Sequence, residues 1–133
     1  MSTSGGIAPS PQTRELSLTS STIELDGVRL HIRRTGLDSG PPLLLLHGGV
    51  GSSEDFEPLL PWLDDHDCVL LDTRAHGAST GSPQTLSYPK LADDVEAVIQ
   101  ALRLDRPILL GHSDGGVTAL HVAARRRVSL GGL

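Results

Sequence analysis

One stretch constrains this chain more than any other: Pro107-Ile108-Leu109-Leu110-Gly111-His112-Ser113-Asp114-Gly115-Gly116. A short apolar strand runs directly into Gly-x-Ser-x-Gly, and a helical pattern begins at once on the far side. The chain must reverse from strand to helix in very few residues. That puts the middle residue in a strained backbone conformation and leaves no room for side chains two positions to either side. Glycine at 111 and 115 fits the requirement. The strain lifts the Ser113 hydroxyl out of the sheet, and the new helix aims its free N–H groups at the same spot. The pattern predicts a nucleophile elbow.

The rest of the chain falls into place around that turn. Residues 1–20, rich in Ser, Gly, Pro and Thr, show no period of strand or helix and read as a flexible leader. Thr22–Leu25 and Val28–Arg33 alternate on either side of Asp26-Gly27, which predicts a β-hairpin. Leu43–Leu46 and Cys68–Leu71 are continuous apolar runs, as expected of strands covered on both faces. Glu54–Leu63 reads as a short helix capped by Ser52 or Ser53 and bent or broken at Pro61. From Tyr88 or Pro89 to Leu102, the residues Leu91, Val95, Val98, Ile99 and Leu102 share one helical face. A further helix follows the elbow, from Val117 to about Arg125. A hairpin and then three strand–helix units predict an α/β protein with a mainly parallel sheet. Ligands of such sheets bind at the C-terminal strand ends. The loops after Leu46, Leu71 and Leu110 all belong there.

A serine attacking an acyl carbon creates an oxyanion that needs two fixed N–H donors. The N–H of Asp114, directly after Ser113, is one. The second is expected from His47-Gly48-Gly49, where small residues let the backbone approach the reacting atom; Gly49 is the first choice of donor and Val50 the second. The same segment also reads as a plain tight turn. A phosphate-binding loop fits poorly, because no lysine follows Gly51 and Glu54 stands where a dinucleotide fingerprint has its third glycine. His47, Asp72, His76 and His112 lie near strand ends, but no short spacing makes them metal ligands, and no cofactor is implied.

Three segments, in order, are similar to the α/β-hydrolase superfamily: the apolar strand ending in His-Gly at Leu43–Gly49, Asp72-Thr73-Arg74-Ala75-His76-Gly77-Ala78-Ser79, and Gly111–Gly116. Ala75 replaces a usual glycine. The resemblance implies the N-terminal half of an α/β-hydrolase fold over residues 21–126, with residues 127–133 a tail that need not belong to the fold. It also implies a serine hydrolase acting on an ester, lactone or amide through an acyl-enzyme. Serine rather than aspartate at position 113 speaks against the haloalkane dehalogenase and epoxide hydrolase branches. Gly-His-Ser-Asp-Gly-Gly resembles valacyclovir-hydrolase-type members. His47, Gly48, Val50, Asp72, Arg74, His76 and His112 are expected to line the pocket or to order its loops.

The family's triad runs Ser, then Asp or Glu, then His along the chain. No Asp or Glu follows Asp114, and the only later histidine, His121, lies eight residues beyond Ser113. That is about 12 Å of helical rise, out of reach of the serine hydroxyl. The expectation is therefore a truncated hydrolase lacking the triad acid and histidine. The alternatives are a non-catalytic fragment or pseudoenzyme that acts as a binding module, or an unconventional base among His47, His76 and His112. Formal charge is −5, which speaks against a nucleic-acid surface. The longest apolar runs fall far short of a membrane span. Cys68 is the only cysteine, so no disulfide forms within the chain and a cytoplasmic setting is expected. The expected partner is a small-molecule acyl substrate. The strand Ile108–Leu110 is expected to leave an apolar sheet edge open to self-association.

Overall fold

The computed structural model describes residues 17–37 and 40–133. Most of the expected leader therefore lies outside the described residues. Strands β1 (Thr19–Leu25) and β2 (Val28–Arg34) form the hairpin, paired from Thr19↔Arg34 to Leu25↔Val28. Pairing with β2 carries β1 back to Thr19, although its residues before Ile23 show no apolar alternation. At the turn both Asp26 and Gly27 have positive φ, 45° and 81°, as the twist of a two-residue hairpin demands.

Three short strands follow: β3 (Leu43–Leu46), β4 (Cys68–Leu71) and β5 (Ile108–Gly111). The sheet order is β1-β2-β4-β3-β5, with β3 parallel to both β4 and β5, and β2 antiparallel to β4. This is a partial α/β-hydrolase fold, as the sequence pattern implies. The absence of alternation in β3 and β4 has a direct cause. Leu44, Leu46, Val69 and Leu71 face one hydrophobic cluster and Leu43, Leu45, Cys68 and Leu70 face the other. All eight are buried, and a fully buried leucine contributes roughly 1.5–3 kcal/mol.

Helices α1 (Tyr88–Ala101) and α2 (Asp114–Arg125) cover the first face. The Ser87 hydroxyl caps α1 by accepting the Lys90 N–H at 3.1 Å. Ala92, Val95, Val98 and Ile99 turn inward into the same cluster as Ala119 and Val122 of α2. Arg125 fastens the two helices through Asp93 at 2.7 Å and Glu96 at 3.3 Å. The opposite face is covered by Ser53–Leu63, which is 3₁₀ rather than α-helical. Pro58 and Pro61, three apart, remove two backbone donors. Ser52, not Ser53, is its cap, within a reciprocal capping box with Asp55.

Residues 127–133 are packed rather than loose. Val128 and Leu130 lie against the main core. Gly131 donates to the Pro107 carbonyl at 2.9 Å, and Gly132 accepts from the Leu109 N–H at 3.1 Å. A parallel bridge pairs Ile108 with Gly132. The outer edge of β5 is thus partly occupied, which corrects the expectation of a fully open edge. Its upper half, at Leu110, has no strand beyond it among the described residues; Leu110 is exposed, as are Val117 and Leu120 of α2. No helix of the described residues is long and apolar enough to cross a membrane. Sedimentation velocity is expected to show association that grows with protein concentration and weakens in Leu120→Lys. A monodisperse monomer at every concentration would remove the role given to this edge.

Candidate active site

Ser113 stands between β5 and α2 at φ 56° and ψ −117°, a strained conformation for a residue with a side chain. The flanking glycines show why the turn needs them. A Cβ on Gly111 would lie 2.5 Å from the backbone of Gly115, and one on Gly115 would overlap the Leu46 carbonyl at the end of β3. The first turn of α2 is therefore pressed onto the ends of two strands. Ser113 makes no side-chain cap bond to its own helix and is exposed, so its hydroxyl is presented outward.

The loop after β3 meets this turn. A Cβ on Gly48 would lie 3.4 Å from Ser113 Cβ and 3.1 Å from His112 Nδ1, and one on Gly49 would overlap the Asp114 carboxylate. Gly49 and the elbow are thus neighbours at the same end of the sheet. The N–H of Asp114, first in α2, has no carbonyl one turn back to receive it. Val50, a β-branched residue, sits at φ 57° with its side chain wholly exposed. Its strain falls on the same loop.

His47 is buried and fixed in one tautomer. The Thr73 N–H donates to Nε2 at 3.1 Å, so the ring proton is on Nδ1 and donates to the Gly48 carbonyl at 2.7 Å. Burial pushes this imidazole below its ordinary value, only partly offset by the Gly48 bond. With its lone pair committed, His47 orders the loop and is not a free base. His76 packs beside it, ring centroids 5.1 Å apart, and its Nδ1 donates to the Arg74 carbonyl at 2.9 Å. His112 is exposed, and its backbone spans the turn by donating to Leu46 and accepting from Gly115.

Asp72 and Arg74 hold loops together. Asp72 accepts the N–H groups of Ser53 at 2.8 Å and Ala78 at 3.1 Å, and bonds His31 Nδ1 at 3.0 Å. Burial acts to raise this carboxyl, but those bonds outweigh it and hold the group below its ordinary value. The His31–Asp72 pair borders a groove with Arg33 and Ser53 rather than the cavity lined by Gly49 and Asp114. Arg74 forms a buried two-pronged ion pair with Asp94 of α1, at 2.7 and 2.9 Å. The hydrogen bonds to Asp94, helped by its charge, raise the guanidinium above its ordinary value against the opposing effect of burial.

A cavity of about 740 Å³ opens at these loops, with His47, Gly49, Val50, His76, Tyr88 and Asp114 in its wall. A second, of about 440 Å³, lies across Gly48 among Phe56, Leu59, Leu110 and His112. Among the described residues no histidine hydrogen-bonds the Ser113 hydroxyl, and no three metal-ligating side chains converge. Sequence reasoning missed two residues. Thr73 sets the tautomer of His47. Tyr88 donates from its hydroxyl to Asp114 Oδ1 at 2.5 Å and stacks on His121. The available signal is that Tyr88 and Asp114 each open a helix at the C-terminal end of the sheet.

A family model for the α/β hydrolase fold matches residues 41–129, and the chain belongs to that family. The chain is 38% identical over 117 residues to the serine hydrolase BPHL of Homo sapiens, covering 82% of this chain and 39% of that protein. It is 36% identical over 90 residues to the esterase YbfF of Escherichia coli, covering 65% and 35% respectively. Among solved structures, an E-2-(acetamidomethylene)succinate hydrolase superposes with a TM-score of 0.74 at 31% identity, over 86% of this chain and 42% of that one. A haloalkane dehalogenase variant from Bradyrhizobium elkanii superposes with a TM-score of 0.76 at 25% identity, over 85% and 38%. The relatives are hydrolases, and this chain spans well under half the length of each.

Two outcomes follow from the geometry. Gly115→Ala drives a methyl group into the Leu46 carbonyl, and a loss of about 3 kcal/mol is expected in urea unfolding. Asp72, with its carboxyl depressed in the folded state, contributes stability that is present above the unfolded aspartate value. That stability is lost as pH falls through the folded value. The acid limb of the stability curve should flatten in Asp72→Asn, and an unchanged limb would show that Asp72 carries no such linkage.

Proposed function

We propose that Ser113 is the nucleophile of an acyl hydrolase acting on a small ester, lactone or amide through an acyl-enzyme. The observation that carries this reading is the strained Ser113 on its strand-to-helix turn, with no side-chain bond to its own helix, Gly48 against its Cβ and Gly49 against the neighbouring Asp114. Attack of Ser113 Oγ on the carbonyl carbon forms the C–O bond as the π pair moves to oxygen. The N–H groups of Asp114 and Gly49 are the donors we assign to that oxyanion. Collapse expels the alcohol or amine, and water then releases the acid. The cavity beside the loop is of a size for a small molecule.

Attack also needs a base to take the serine proton. His47 has its lone pair committed to Thr73, and His76 and His112 make no bond to Ser113. Full turnover therefore calls for a histidine and an orienting acid other than the described residues. By itself the chain is expected to be a poor catalyst, with at most the roughly 10³–10⁴-fold rate over water that an oxyanion hole and binding leave when triad members are missing. The exposed Ser113 equally favours a second reading for the isolated chain, a module that binds acyl ligands without turning them over.

Hydrolysis of a nitrophenyl ester and labelling by a fluorophosphonate, each compared with Ser113→Ala, test both readings. Any rate above buffer should vanish in the alanine variant, together with the label. A rate that survives in Ser113→Ala would overturn the nucleophile assignment. Rapid, serine-dependent turnover by the wild-type chain would instead identify an unconventional base among His76 and His112.

A further inference from the structure

Asp114 has two parts that pull in opposite directions. Its backbone N–H is one of the donors assigned to the oxyanion, whereas its side chain is a carboxylate on the residue next to the nucleophile. One carboxylate oxygen, Oδ2, is packed against Gly49, whose N–H is the other assigned donor. A carboxylate only accepts hydrogen bonds, and left alone it would turn onto those N–H groups and fill the place of the oxyanion. Its negative charge would also oppose the charge developing there. The other oxygen, Oδ1, is engaged by the Tyr88 hydroxyl at 2.5 Å, a short charge-assisted bond.

Tyr88 is itself held from two sides. It opens α1 directly after the cap Ser87, with Pro89 fixing the backbone behind it. Its ring stacks on His121 of α2 at a centroid distance of 5.8 Å and an interplanar angle of 18°. The two helix starts thereby set where the phenol points. Among the described residues, Asp114 faces it through the hydrogen bond and His121 through the stack.

We propose that Tyr88 is a positioning residue of the oxyanion site: its hydroxyl tethers the Asp114 carboxylate and keeps the backbone N–H groups of Gly49 and Asp114 free for an acyl oxyanion. This rests on the reading of Ser113 as nucleophile, but its test does not. Tyr88→Phe keeps the ring stack and removes only the tether. The released carboxylate should then accept the Gly49 N–H. By amide exchange in NMR, that N–H should become about tenfold better protected, the worth of one hydrogen bond. Tyr88→Phe/Asp114→Ala should return it to the wild-type rate. Unchanged exchange in Tyr88→Phe, or protection that persists in the double variant, would overturn the proposal.

A second measurement needs no change at Tyr88. It is the only tyrosine in the chain, so phenolate absorbance reports this residue alone. The bond to Asp114 raises the phenol above its ordinary value, and Asp114→Asn should bring the titration down toward it. A titration that does not move would show that the tether is absent in solution. If Ser113→Ala fails its own test while these results hold, the tether stands and only the acyl chemistry falls.

Discussion

The contact between Gly115 and the Leu46 carbonyl is the constraint on which the rest depends. It brings the first turn of α2 down onto the C-terminal ends of β3 and β5. At that separation only His112 and Ser113 connect β5 to α2, and Ser113 takes the strained conformation. The same approach carries the loop after β3 against the elbow, so Gly48 meets Ser113 and Gly49 meets Asp114. Backbone strain of about 1–3 kcal/mol is tolerated here because the surroundings over-determine it. Ala119 and Val122 of α2 are buried against the sheet, and His112 is hydrogen-bonded to β3.

Polar groups near the site mostly hold loops in place. His47 is neutral and spans from Gly48 to Thr73, joining the ends of β3 and β4. Asp72 gathers the start of the 3₁₀ segment, the loop after β4 and His31 of β2. Arg74 and Asp94 join that loop to α1 in a buried pair. Removing one member of such a pair leaves an uncompensated charge in low dielectric, which is costly. These bonds leave few freedoms to the loops that carry Gly49 and Asp114, and fixed donors are what stabilisation of an oxyanion requires. On the reading proposed for Ser113, the described residues supply the side of the site that receives negative charge, and none of their histidines hydrogen-bonds the serine hydroxyl.

Much of this was legible in the sequence because it depends on local geometry. The elbow follows from Gly111 and Gly115 around Ser113, and the hairpin from Asp26-Gly27. The parallel core follows from apolar runs at 43–46 and 68–71, which a sheet covered on one face would not need. The family resemblance extended these local signals to a partial α/β-hydrolase fold, which the sheet then displayed. Local signals read less well where two demands competed. The apolar positions of Ser53–Leu63 ask for a helix, but two prolines take away its donors, and the result is 3₁₀.

The sequence by itself determined which residues could turn the chain, cap a helix or fill a core, because those properties belong to a residue and its near neighbours. Only the tertiary structure decided what those residues do for one another across long separations. Thr73 fixes the proton on His47, 26 residues away, and Tyr88 reaches Asp114 across the same interval. Residues 131–132 lie along β5 because its outer backbone groups need partners, not because their own pattern asks for a strand. A tautomer, a tether and an edge pairing each depend on where a second group arrives. That arrival is set by how α1, α2 and the strand ends pack, which no window of local sequence contains.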